Sequence, residues 1–217
     1  MGDLASARAN MVAGQILTDH VHDTAVLGAM GAVMRERFVP ANVATAAYAD
    51  VETPLANGRA LLMPVALARL LQMAQVGGQD LVLDVGCATG YSTAVLAQLA
   101  GSVVALESDP ELAARAGETL SALGVDNAAV VQGPLEAGYA AEAPYDVIFL
   151  NGSVETVPEA LVEQLAPGGR LVAIVGTGQV GRATRVTRQG AIIGSREVFD
   201  ASATPLPGFS TEIGFVF

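Results

Sequence analysis

LVLDVGCATGYS, residues 81–92, is the stretch whose reading decides the fold. Leu81 to Val85 is a short apolar run with β propensity, bounded by Gly77-Gly78 before it and Gly86 after it. The five residues Gly86 to Gly90 make a tight turn, and Tyr91 to Ala100 reads as a helix. Strand, glycine turn and helix together open an α/β nucleotide-binding unit. Its glycines let the backbone come close to a ligand, and the helix N-terminus offers free N–H groups.

The spacing separates two ligand classes. A dinucleotide turn reads G-x-G-x-x-G, whereas here an acid precedes the first glycine: Asp84, Gly86, Gly90. An acid at the strand end repels a pyrophosphate and suits a cation. S-adenosylmethionine (SAM) carries both a sulfonium and an ammonium. A second acid, Glu107, ends the next apolar run and stands where a doubly wound sheet binds ribose hydroxyls. This pattern resembles the SAM-dependent methyltransferases, and the resemblance implies SAM as methyl donor with cofactor contacts at Asp84, Gly86, Cys87, Ala88, Gly90, Glu107, Ser108, Gly133 and Asn151. The alternative is a glycine turn in a ligand-free α/β domain, with Glu107 solvated.

Outward from this centre, the core alternates. Strands are expected at 81–85, 103–107, 128–132, 146–151 and 170–175, with helices at 90–100, 110–123 and 158–166 between them. Asp109 is the N-cap of the second helix, Pro110 its first residue and Gly124 its stop. Two late strands, 182–188 and 192–199, join in a hairpin at Gln189-Gly190, and 212–217 is a possible last edge segment. Connecting helices imply a parallel sheet with right-handed crossovers. The expected fold class is therefore α/β, Rossmann-like, with a mostly parallel seven-stranded sheet.

Ahead of it lies a helical extension, residues 1–78, capping a core of residues 79–217 in one domain. Helices are expected at 4–18 and 23–34 and from Pro64 to the Gly77-Gly78 stop, with Asp23 as an N-cap. Arg35 to Pro40 reads as extended, 41–48 as a short helix and 50–58 as irregular. His20 and His22 offer a metal or acid–base pair, but with no convergent third group a solvated turn is the better reading.

Composition narrows the function classes. The chain has 217 residues, 52% hydrophobic, and a net charge of −11. Such acidity, without a basic patch, argues against nucleic acid. It fits a cytoplasmic protein. The single Cys87 excludes an internal disulfide and gives no metal cluster. No apolar run approaches the ~18 residues of a membrane span, and the N-terminus does not read as a signal peptide.

Several segments in order resemble the protein-L-isoaspartate O-methyltransferase family. Met11-Val12, Gln15, Ala29-Met30 and Arg37-Phe38-Val39-Pro40 match its N-terminal part. Tyr48-Ala49-Asp50 with Pro54-Leu55 matches the next link. The run Leu83 to Gly86, Gly90-Tyr91, Glu107, Pro144-Tyr145-Asp146 and 165–171 match the core. The resemblance implies methyl transfer from SAM to an isoaspartyl carboxylate of a damaged protein or peptide, the first step of its repair. It also implies a loop like G-x-T-I-S-Q-P beside the reacting carboxylate. Here that loop is 58–64, and Ala60 and Leu62 stand at the family's hydroxyl positions. Ala88 replaces a turn glycine, and Pro134 replaces the acid facing adenine. The expectation is a SAM-dependent methyltransferase with weak or absent isoaspartyl activity. The alternatives are a non-catalytic or weakly SAM-binding member acting through a protein partner, and a methyltransferase with another acceptor.

Overall fold

A computed structural model describes residues 3–176 and 180–209. The expected edge segment at 212–217 lies outside the described residues. Among the described residues seven strands form one sheet in the order β5-β4-β3-β6-β7-β8-β9. They are β3 (Leu81–Val85), β4 (Ser102–Glu107), β5 (Ala128–Gln132), β6 (Tyr145–Val154), β7 (Leu165–Val175), β8 (Gly181–Gln189) and β9 (Ile192–Ala201). The first five run parallel, and β8 and β9 are antiparallel. A separate two-stranded ribbon pairs β1 (Thr53–Pro54) with β2 (Ala60–Leu61).

The central strands β3, β4, β6 and β7 are largely buried because they carry nearly continuous apolar runs, while β9 at the edge is mostly exposed. Alternation divides them. Val82, Val103, Val147, Phe149, Val172 and Ile174 share one cluster with the N-terminal helices. Leu83, Val85, Leu106, Ile148, Leu150 and Leu171 pack on the other side with Leu135, Leu161 and Leu206. The period of two in strand side chains produces this split. The helices on the first face are α1 (Leu4–Met11), α2 (Thr24–Ala32), α3 (Pro64–Ala74) and α4 (Tyr91–Ala97). Helix α5 (Pro110–Ala122) follows β4, and the short α6 (Glu159–Glu163) precedes β7.

Caps fall where the sequence places them. Asp23 accepts from Ala25 and Val26 N–H, and Asp109 accepts from Glu111 and Leu112 N–H. Gly124, at φ +69°, follows α5. Several boundaries differ from expectation. The first helix is α-helical only to Met11 and then turns through a wider π segment, Val12–Ile16. Arg35–Phe38 is a 3-10 turn rather than extended. Its cause is Arg35, a fully buried guanidinium that donates to Ala47 O at 2.8 Å and Leu62 O at 2.7 Å and folds the segment inward. Helix α3 ends at Gln75, in the left-handed conformation, two residues before the glycine pair. Arg170 holds that end, donating to Ala74 O at 2.6 Å and pairing with Asp80 at 2.6 Å. Strand β6 continues to Val154, beyond the expected 151, and β7 begins at Leu165 rather than 170. His20 and His22 are both exposed, and His20 O accepts from Gln72, so they lie in a solvated turn. Among the described residues no helix is long and apolar enough to cross a membrane.

Candidate functional site

Strand order reverses beside β3: the chain moves outward through β4 and β5, then returns to β6 on the other side. In open α/β sheets ligands bind in the crevice outside the strand C-termini at that reversal. Here the crevice gathers Asp84 and Gly86 from β3 and its turn, Glu107 from β4, and Asn151 from β6. The loop 58–64 reaches it too. Ala60, Leu61 and Leu62 line one cavity together with Gly86, Cys87, Ala88, Tyr91, Ser92 and Asn151.

The turn is tight because its backbone bends left three times. Gly86 has φ +76°, Ala88 +50° and Gly90 +92°. Glycine reaches such angles freely, while alanine does so at a cost of ~1–2 kcal/mol. Not all the turn's donors are free, contrary to the simple picture of an open N–H cradle. Gly86 N–H and Cys87 N–H both bond Leu106 O, at 2.8 and 3.2 Å, and Ala88 N–H bonds Glu107 Oε2 at 2.7 Å. Thr89 Oγ1 donates to Phe38 O at 2.6 Å, tying the N-terminal segment to the turn. Cys87 is buried, and burial pushes its thiol well above the ordinary range, so it contributes backbone rather than reactivity.

Asp84 is fully buried. Ser92 Oγ and Thr93 Oγ1 donate to it at 2.8 and 2.6 Å, and Asn151 donates to its other oxygen. Burial still raises its pKa from 3.8 to about 6, because desolvation outweighs these bonds; the nearby Glu107 charge adds to the rise. A cation entering the crevice would reverse part of that penalty.

Glu107 is also fully buried, which overturns the solvated alternative. It accepts from Ala88 N–H at 2.7 Å, Ser108 N–H at 2.8 Å and Asp109 N–H at 3.1 Å. Ser108 Oγ adds a longer contact at 3.3 Å, and a further donor was not foreseen. Arg59 Nη1 lies 2.6 Å from Glu107 Oε1, and Arg59 Nη2 donates to Gly86 O at 2.9 Å. Arg59 is only 5% exposed. Gly133 sits beside this group, its N–H on Glu107 O at 3.1 Å. Pro134 is exposed and caps a short turn whose Leu135 is buried.

These residues suit SAM in chemistry but not yet in space. A carboxylate offers about four acceptor sites. Five donors reach Glu107: Arg59, Asp109 N–H and both Ser108 N–H and Oγ on Oε1, and Ala88 N–H alone on Oε2, so a ribose diol that uses both oxygens needs Arg59 to leave Oε1. A Cβ placed on Gly86 would come within 2.7 Å of Leu206 and 2.9 Å of Arg59. The cavity at the turn is about 10 Å³, against several hundred for an ordinary cofactor site. Two roomier grooves, of about 430 and 300 Å³, lie elsewhere, beside α6 and beside Arg69, Arg185 and Arg196. Neither adjoins the paired acids, so chemistry rather than size marks the site.

Comparison with known proteins agrees with this geometry. The protein-L-isoaspartate(D-aspartate) O-methyltransferase family matches residues 7–203. Protein-L-isoaspartate O-methyltransferase 1 of Rhodopseudomonas palustris is 40% identical over 185 residues, 85% of this chain and 76% of that protein. The Koribacter versatilis enzyme of that name is 38% identical over 201 residues, 93% of this chain and 90% of its own. A Plasmodium falciparum structure described as a protein-L-isoaspartate O-methyltransferase in complex with S-adenosyl-L-homocysteine superposes with a TM-score of 0.79 at 20% identity. It covers 95% of this chain and 99% of its own. That likeness shows the fold. With the family match spanning most of its length and relatives near 40% identity, this chain belongs to the protein-L-isoaspartate(D-aspartate) O-methyltransferase family of SAM-dependent methyltransferases.

Proposed function

We propose that this protein binds SAM at the ends of β3, β4 and β6 and transfers its methyl group to a carboxylate of isoaspartyl type in a protein or peptide. The observation that carries this reading is Glu107. It is a fully buried acid at the end of β4, oriented by three backbone N–H groups beside the glycine turn. Arg59 balances its charge, and ribose hydroxyls would supply hydrogen bonds to the same carboxylate. Asp84 and Asn151 would face the cationic end of the cofactor, with Gly86, Cys87, Ala88 and Gly90 as the close backbone and Ser108 and Gly133 flanking the ribose.

SAM supplies an electrophilic methyl group. A carboxylate is already a nucleophile at neutral pH, so the protein's task is alignment and exclusion of water rather than removal of a proton. The loop 58–64 suits that role. Arg35 pins Leu62 O, Val65 N–H bonds Asp50 at 3.0 Å, and Asn57 donates to Asp109 at 2.5 Å. The whole chain acts as one methyltransferase domain, supported by the single cluster that joins the N-terminal helices to the sheet. A cytoplasmic setting, with its acidic charge and a free cysteine, completes the reading.

One observation favours slow turnover, or binding without it. Ala60 and Leu62 line the cavity at the turn, and neither side chain can donate a hydrogen bond. The test is methyl-ester formation from labelled SAM on an isoaspartyl peptide and its aspartyl twin. Slow labelling confined to the isoaspartyl peptide is the expected result. Label on neither peptide, with SAM bound, would favour the binding-only reading, and equal labelling of both would refute isoaspartyl selection.

A further inference from the structure

The crevice poses an electrostatic problem. Its acids, Asp84 and Glu107, are both fully buried. The whole chain carries −11. An anionic acceptor brought here meets negative charge, and Ala60 and Leu62, which line the cavity at the turn, offer no side-chain donor. Charge repulsion at low dielectric would hold the acceptor away.

Arg59 is the cation placed to solve it. It precedes Ala60 directly, and its ribbon is fixed by the pairs Thr53–Leu61 and Pro54–Ala60. Its guanidinium already binds a carboxylate, that of Glu107, at 2.6 Å. Among the described residues no other cation pairs with Glu107. Arginine's planar fork suits carboxylates in general, so exchange of one carboxylate for another keeps its interactions in kind.

We propose that Arg59 receives the acceptor carboxylate, and that Glu107 holds it in reserve until the cofactor's ribose takes its place. This rests on the SAM reading above. The exchange orders the two ligands. With the cofactor absent, Arg59 is neutralised by Glu107 and the crevice is filled. Once ribose hydroxyls occupy Glu107, a free guanidinium faces the loop that lines the acceptor side. The same residue therefore opposes cofactor binding and favours acceptor binding.

The test uses the full chain, with S-adenosylhomocysteine as the cofactor probe. The acceptor probes are a short isoaspartyl peptide and the same peptide with that carboxylate amidated. Arg59→Ala should bind S-adenosylhomocysteine about tenfold more tightly than the natural protein, the worth of one hydrogen bond to a charged group. In the loaded state the natural protein should prefer the carboxylate peptide about tenfold over its amide, and Arg59→Ala should lose that preference. Without S-adenosylhomocysteine the natural protein should show no preference. Arg59→Lys keeps a cation beside Glu107, guarding against a folding defect, and should retain part of the preference. Equal cofactor affinity in Arg59→Ala, or a peptide preference that survives it, would overturn the proposal alone. Absence of cofactor binding in both the natural protein and Arg59→Ala at millimolar concentration would overturn the SAM reading and the proposal with it.

Discussion

Neutralising Asp84 should change the pH dependence of stability in a defined direction. Its pKa is about 6 in the folded protein against an ordinary 3.8. A raised carboxyl pKa means that folding favours the protonated form. The resulting stability is fully present below about pH 4 and is lost as pH rises through 6. A gap of about two between the folded and unfolded values amounts to ~3 kcal/mol. Asp84 is fully buried, so solvent screening does not reduce this figure. Asp84→Asn keeps the shape and removes the titration. The amide's N–H group would meet donors from Ser92, Thr93 and Asn151, which adds a destabilisation that does not vary with pH. The slope is therefore the readout. Urea unfolding of both proteins from pH 4 to 7.5 should show the variant gaining ~2.5 kcal/mol relative to the natural protein across that range. A flat difference, or one that moves against the variant as pH rises, would refute the reasoning.

Other outcomes follow from the same site. Glu107→Gln keeps the side-chain shape but leaves the Arg59 charge buried without its counter-ion, and should lower stability by ~3 kcal/mol in denaturant titrations. SAM affinity measured by calorimetry should fall severalfold as pH drops from 7 to 5, because Asp84 loses the charge that favours a cation. Ala60→Thr with Leu62→Ser should raise kcat on an isoaspartyl peptide while costing ~2–3 kcal/mol of stability for the buried leucine lost, readable as opposite changes in rate and melting temperature.

The strand–turn–helix unit was legible because its signals are local. An apolar run, spaced glycines and the caps at Asp23 and Asp109 each act within a few residues. The gathering of Asp84, Gly86, Glu107 and Asn151 was legible at one remove, since strand ends converge once the topology is fixed. What sequence reading missed depends on contacts between distant segments. Arg59 and Glu107 are 48 residues apart and follow no period. Arg35 lies in a segment that reads as extended, and only its burial against Ala47 O and Leu62 O turns it inward. Arg170 reaches back 96 residues to close α3. A signal for Arg59 did exist. It is an arginine in an otherwise apolar loop beside a site with two buried acids, in a chain with few cations.

The claim at the centre of this account is that Glu107 belongs to a cofactor site. Calorimetric titration of S-adenosylhomocysteine into the natural protein and Glu107→Ala tests it most directly. The account predicts saturable binding at one site in the natural protein, weakened in the variant by ~1.5–3 kcal/mol, or roughly tenfold to a hundredfold. Equal affinity in the two proteins, or no binding by the natural protein at millimolar ligand, would contradict it.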